Sequence, residues 1–420
     1  MTNTAPTMVT PSLEPETPPS RWSVAWREIV AGSPLRTFLA IVLAFIVGAV
    51  LIILTNEQFL SSVGYIFSRP SDALTAAGDA VVEGYGALFR GSILNLEGDT
   101  FSEVVRPLTE TLRLATPLIA AGLGIALSFR VGMFNIGGQG QLLFGAGFAG
   151  FVSFQLHLPF PLHLLVAIGA GVLGAAAYGA LVGFLKARTG ANEVIVTIML
   201  NYIAFYLITY LMRTPVLQDA AAGGTPKTPA PDESAQLPLL FGGDFALHWG
   251  FVLVVGATFL FWWLMERSTM GYRFRAVGLN PSAALTAGIN VNRVYVVAMA
   301  LSAGFVGAAG VTQALGRTSG FTPTVDAGIG FDAITVALLG GSTAGGVFLA
   351  GLLFGAMKAG GPSMQIADVP PELLGVVQGL IVLLIAAPPL VRAIFRLPSP
   401  SAQIARARAA RRSAKKGDVK

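Results

Sequence analysis

Long apolar runs alternate with short polar breaks along most of this chain. A membrane-crossing helix needs about 20 apolar residues. Runs approaching that length, or paired halves of it, fall at 37–54, 107–129, 139–156, 162–185, 192–212, 249–265, 294–314, 329–339, 346–357 and 371–387. The segments at 329–339 and 346–357 are short and glycine-broken, and they meet at Gly340-Gly341-Ser342-Thr343. In hydrocarbon every backbone polar group must be paired internally, so repeated apolar runs of this kind form helices. The fold class is therefore all-α, a polytopic transmembrane helical bundle of about ten spans with discontinuous helices.

The polar stretches between the runs give the domain plan. Residues 1–30 are rich in Thr, Pro and Ser at their start and lack an apolar period, which predicts a disordered cytoplasmic N-terminus. They do not form a signal peptide, because the first long apolar run begins only after Arg36 and no small-residue cleavage site follows. A transmembrane domain covers 31–395. Within it, 55–106 is acidic and predicted to be external, with a surface helix around 71–89. Residues 213–247 carry Pro215, Pro226, Pro229, Pro231 and Pro238 and read as an ordinary external loop. A basic loop over 266–293 carries Arg267, Arg273, Arg275 and Arg293, and a basic tail covers 396–420. Arg21, Arg27 and Arg36 precede the first span, while Arg130, Lys186 and Arg188 end others on the same side. Basic residues mark the cytoplasmic side, so both termini are predicted to be cytoplasmic.

Composition sharpens this picture. The 420 residues are 54% hydrophobic and only 12% charged, about half the charge of soluble domains. Mean hydropathy is +0.69. Fifty glycines suit helices that approach closely in lipid. Cysteine is absent, which excludes disulfides and thiolate metal sites, and three scattered histidines offer no metal-ligand spacing. The sequence predicts no metal site and no cofactor. The net charge of +5 invites a nucleic-acid reading. Its excess lies in the tail, however, where anionic lipid headgroups explain it, so membrane lipids and not nucleic acid are the expected partner.

Candidate chemistry concentrates in two places. The first is Phe134-Asn135-Ile136-Gly137-Gly138-Gln139-Gly140-Gln141, wedged between two apolar runs. Amides donate and accept without charge, and glycine supplies unusual backbone angles. Two readings stand: a broken helix lining a path for a neutral polar solute, or a short loop beyond the bilayer. Asn135, Gln139 and Gln141 are the pathway candidates, joined by Asn192, Glu193 and Asn201. Asn192 and Glu193 also read as a helix cap with a first-turn acid. Asn201 lies eight residues past Glu193, on the same face, and suits helix adhesion equally well. The second place is the basic loop. There Asn280 caps a short helix with Pro281 at its first position, Ala283, Ala284, Leu285 and Ala287 form a small-residue face, and Gly288 ends it. A cytoplasmic helix of this kind fits a partner's cleft or lies idle on the membrane. No phosphate-binding GxxxxGK[ST] loop and no catalytic constellation occurs, so the chain reads as a non-enzyme that binds no ATP by such a loop.

At these residues the sequence resembles the permease subunit of a bacterial ATP-binding-cassette importer. The resemblance is to the simple-sugar and nucleoside branch of the branched-chain amino acid and ribose permease family. Arg113-Leu114-Ala115-Thr116-Pro117, the Phe134 to Gln141 string, Ala191 to Ile195 with Leu200-Asn201-Tyr202, and Val277 to Pro281 with Ala287-Gly288-Ile289 carry the match across about 107–390. The family usually shows an acidic residue within the Phe134 string, where this chain has Gln139. The resemblance implies a coupling loop that docks on a separate ATPase subunit, with Arg275, Gly278, Leu279, Asn280, Pro281, Ala284, Gly288 and Ile289 as its residues. It further implies a second permease, identical or similar, an extracytoplasmic solute-binding lipoprotein, and a bacterial cytoplasmic membrane. The expected solute is a nucleoside, with a ribose-like sugar or a branched-chain amino acid as alternatives. An ion-coupled secondary transporter is the further alternative, kept open by Glu193.

Overall fold

The structure, a computed structural model, describes residues 33–387 and Ile394. The expected disordered segment at 1–30 and the basic tail at 396–420 lie outside the described residues. The chain divides into two units, 1–43 with 387–420, and 44–386. The described part of the first is the opening of helix α1 (Ser33–Thr55), with Ala387 and Ile394. All that follows concerns the second.

Its helices continue as α2 (Glu57–Val63), α3 (Pro70–Ser92), α4 (Phe101–Arg130), α5 (Gly138–Gln155), α6 (Leu162–Thr189) and α7 (Glu193–Leu211). After a long connection come α8 (Gly250–Arg267), α9 (Thr269–Leu279), α10 (Pro281–Thr286), α11 (Val291–Leu315), α12 (Ile329–Leu339), α13 (Ala344–Ile366) and α14 (Glu372–Ala386). No strand occurs among the described residues. Among the described residues seven helices, α1, α4, α6, α7, α8, α11 and α13, are long and apolar enough to cross a membrane. The chain is an all-α polytopic bundle.

Two helices form its centre. The apolar window of α4 is 78% buried and that of α11 67%, against 28% for α6 and α7. Small residues make this possible. Gly145 of α5, Gly171 of α6 and Gly307 of α11 meet backbone to backbone, and a Cβ on any of them would strike a neighbouring chain. Where no hydrophobic force drives helices together, such close approach provides the dispersion contact. The outer faces of α6, α7 and α8 carry exposed Leu173, Phe184, Met199, Phe259 and Leu260, as a lipid-facing wall requires.

Three expectations change. The segment predicted over 346–357 as a short half is a 23-residue helix, α13, running through Pro362. Its glycines serve packing: Gly351 lies on Ile119 and Gly355 on Ala115, both of α4. The helix expected on the surface around 71–89 is α3, and it is packed. Ala80 and Ala87 join Ile52, Met364 and Val369 in a buried cluster, and the Tyr85 hydroxyl donates to the Phe45 carbonyl at 2.5 Å. The third is the connection between α7 and α8, expected as an ordinary loop. It closes over one end of the bundle instead. The Leu237 N–H donates to the Leu315 carbonyl at 2.9 Å and Asp232 N–H to Ser153 at 3.0 Å, while Thr228 and Phe321 exchange bonds at 3.0 Å. The prolines leave this segment few conformations to lose on ordering.

Candidate functional site

The loop between α4 and α5, residues 131–137, brings the first candidate group together. Asn135 is fully buried. Its Oδ1 accepts from the Gly137 N–H at 2.9 Å and from Gln141 Nε2 at 3.1 Å. Its Nδ2 donates to Gln141 Oε1 at 3.0 Å and to Ser302 Oγ at 2.9 Å. Ser302 in turn donates to the Gly124 carbonyl at 2.7 Å, tying α11 to α4. From α7, Asn201 accepts the Gly140 N–H and donates to the Ile136 carbonyl, each at 2.8 Å. Thr197 Oγ1 accepts the Ile136 N–H at 3.3 Å. A helix start leaves four N–H groups without internal partners. Here a neighbouring helix's amide meets one of them, and both donors of the Asn135 amide are used.

The six pathway candidates therefore separate. Asn135, Gln141 and Asn201 are buried, at 0, 1 and 5% exposure, and bonded to one another's elements, so in this conformation they offer solute no free polar atom. Gln139 is half-buried and lies where the start of α5 meets the start of α12, with Gly138 against the Gly330 backbone. Asn192 is exposed and caps α7, accepting the Val194 N–H at 2.9 Å. Glu193 is partly buried. It accepts Lys186 Nζ at 2.5 Å and the Phe134 N–H at 3.4 Å, so it ties α6, α7 and the loop together. Ser302 and Thr197 were not foreseen, because hydroxyls in apolar helices usually bond their own backbone and leave no sequence mark.

The meeting of α5 and α12 has a second cap. Asp326, 3% exposed, accepts the Gly330 N–H at 2.9 Å and the Gly328 N–H at 3.1 Å. Burial raises its pKa, and those two donors oppose the rise. Asp332, in the first turn of α12, pairs with Lys358 of α13 at 2.7 Å. Lys358 also lines a cavity of about 670 Å³ with Glu103, Arg106, Glu110 and Arg113 of α4 and Ser363 of α13. Arg113 donates to Glu110 at 2.8 Å. This charged cavity was missed in the sequence, although a lysine alone among the apolar residues of α13 is a signal of function by its cost. Near Arg113, burial first and that guanidinium second depress the His248 pKa to about 4, leaving its ring neutral at pH 7.

The basic loop folds as its sequence requires. Asn280 Oδ1 accepts the Ala283 N–H at 3.0 Å, Pro281 is the first residue of α10, and Gly288 has a left-handed φ of 81°. The predicted small-residue face is not one surface: Ala284 is buried, while Ala283, Leu285 and Ala287 are exposed. A six-residue helix resting on one alanine turns the rest outward. Leu279 and Leu285 stand 88% and 65% exposed at the tip. Of the remaining loop candidates, Arg275, Gly278 and Ile289 are half-buried. A groove of about 650 Å³ lies beside them, lined by Met270, Tyr272, Arg273, Gly288 and Arg293. Phe274 and Val277, both buried, anchor α9 beneath it.

Comparison with known proteins gives these features a family context. A family model described as branched-chain amino acid transport system / permease component matches residues 108–386. The chain is 37% identical over 329 residues to the guanosine ABC transporter permease protein NupP of Bacillus subtilis, covering 77% of this chain and 90% of that one. It is 32% identical over 386 residues to the glucose ABC transporter permease protein TsgB13 of Haloferax volcanii, covering 89% and 90%. The nucleoside ABC transporter permease protein NupB of Lactococcus lactis subsp. cremoris is 32% identical over 324 residues, covering 74% and 86%. No solved structure matches the chain.

Proposed function

The chain belongs to the branched-chain amino acid transport system / permease component family, and from that membership we propose that it imports nucleosides as the membrane-spanning subunit of an ATP-driven transporter. Membership makes it a multi-pass protein of the cell membrane and implies an ATPase subunit and a partner permease. The finer assignment is that this chain performs no catalysis. It alternates between outward-open and inward-open forms while ATP is hydrolysed elsewhere, and a lipid-anchored binding protein delivers solute outside. The observation that carries it is the similarity to the guanosine and nucleoside permeases over three quarters of the chain.

In this reading α9 and α10 face the cytoplasm and present Leu279, Asn280 and Leu285 to the ATPase. The closed segment over 212–249 lies outside, and both termini lie inside. Glu193 is held by Lys186 at a helix start, which suits a structural tie better than an ion-coupling site. Asn135, Gln141 and Asn201 act as the hinge that shapes the path, and Gln139 is the amide left to meet solute.

A glucose permease aligns over more of the chain, 89%, and that favours a simple sugar as the second reading. Competition separates the two. Cells carrying the whole transporter should take up labelled guanosine, and a hundredfold excess of unlabelled adenosine should suppress it at least tenfold while glucose or ribose does not. Suppression by glucose alone would transfer the assignment to sugars.

A further inference from the structure

One carboxylate joins three elements at the end of the bundle that carries α9 and α10. Glu266, the penultimate residue of α8, accepts a hydrogen bond through Oε1 from Nη2 of Arg130, the last residue of α4. Its Oε2 lies 3.5 Å from Nη1 of Arg275 on α9, an ion-pair separation without a hydrogen bond. Beside this bridge, Gly278 at the end of α9 rests on the Arg130 and Val131 backbone, and a Cβ there would strike the Arg130 carbonyl. Gly132, with a φ of 76°, lies against the Gly278 backbone from the other side. From Gly132 the chain passes through buried Met133 and reaches Asn135 within three residues.

The two kinds of contact transmit different forces. Packed backbones resist compression, so an inward push on α9 moves Gly132 directly. They resist separation only weakly. Among the described residues no hydrogen bond joins α9 to α4, so the polar link that opposes separation runs through Glu266. Its side chain is 43% exposed, Arg130 is 26% and Arg275 33% exposed. Pairs this open contribute little to stability, so the bridge is better suited to position than to hold the fold.

We propose that Glu266 is a positioning residue that carries the outward stroke of the α9–α10 segment to the α4–α5 loop and so to the Asn135 hinge. The claim rests on the reading of α9–α10 as the segment an ATPase moves. It concerns this chain's own transmission and not the solute.

The chain has no cysteine, so a single introduced thiol reports without interference. A nitroxide on Phe134→Cys, at the mouth of the loop, is followed in the purified transporter with and without ATP and vanadate. With Glu266 present, its line shape should change on adding nucleotide. The change should vanish in Glu266→Gln and in Arg130→Gln, return in Arg130→Lys, and leave ATPase co-purification intact throughout. Guanosine uptake should fall at least tenfold in Glu266→Gln while ATP hydrolysis continues. A full nucleotide response in Glu266→Gln, or no response with Glu266 present, overturns the proposal. Should Glu266→Gln fail to assemble, Arg130→Gln decides in the same way. A normal label response in a transporter that takes up no guanosine defeats the nucleoside reading and leaves the transmission claim supported.

Discussion

Asn135 shows what one amide does when it is removed from water. Both ends of its side chain are spent on protein partners, from Gly137, Gln141 and Ser302. Replacing it with leucine strands those groups, at about 1–3 kcal/mol for each one left unpaired and buried. Asn135→Leu is therefore expected to lower the melting temperature of the detergent-solubilised transporter and to reduce its yield. Gln139→Leu, at a half-buried side chain with no bond to lose, should melt within about 0.5 kcal/mol of the parent and alter uptake instead. Equal melting curves for all three would return Asn135 to a solute-contacting role. The need for polar partners at this position was legible, because amides and glycines interrupt an otherwise lipid-soluble sequence. The identity of the partners was not. Asn201 reaches the Ile136 carbonyl from 65 residues away, and helix register of that range leaves no pattern in one sequence. Asp326 and Lys358 were passed over for a related reason. A carboxylate next to a helix start reads as an end residue, and a lone lysine just past an apolar run shows its cost only when a second element is brought against it.

At the scale of elements, apolar periodicity located most of the long helices, began α4 six residues late, stopped α13 nine residues short, and misjudged what glycine means. The glycines of α13 suggested a break, yet Gly351 and Gly355 are where α13 lies against α4. Gly345, on the same helix, has open space around it. The pair makes a test. Gly355→Leu forces a side chain into the Ala115 backbone and should cost at least the 1–3 kcal/mol typical of overpacking, visible as loss of a monodisperse peak in detergent. Gly345→Leu should leave that peak unchanged. Equal tolerance at both would mean that α13 and α4 do not meet as described. By contrast, the cap of α10 was readable in full, since Asn280, Pro281 and Gly288 act through local geometry that sequence encodes directly. The segment over 213–247 was not, because its prolines signal a turn-rich path without saying what that path covers.

Across the unit over 44–386, two ends of different character are joined by a tightly packed centre. One end exposes a short capped helix beside a groove, held to the bundle by Gly278 and Glu266. The other is closed by an ordered segment bonded to α5 and α11 and lies near a charged cavity between α4 and α13. The buried α4 and α11 connect them, and the amide network sits where their polar atoms meet. The family is one of transport permeases, and in the proposed reading force enters from an ATPase subunit through the exposed loop. The most direct measurement uses proteoliposomes holding the complete transporter, loaded with no ion gradient. Entry of labelled guanosine should require ATP on the side of α9–α10 and should stop when 278–289 is replaced by a flexible linker. Entry driven by a sodium or proton gradient without ATP, or ATP-driven entry that survives the linker, would contradict the account.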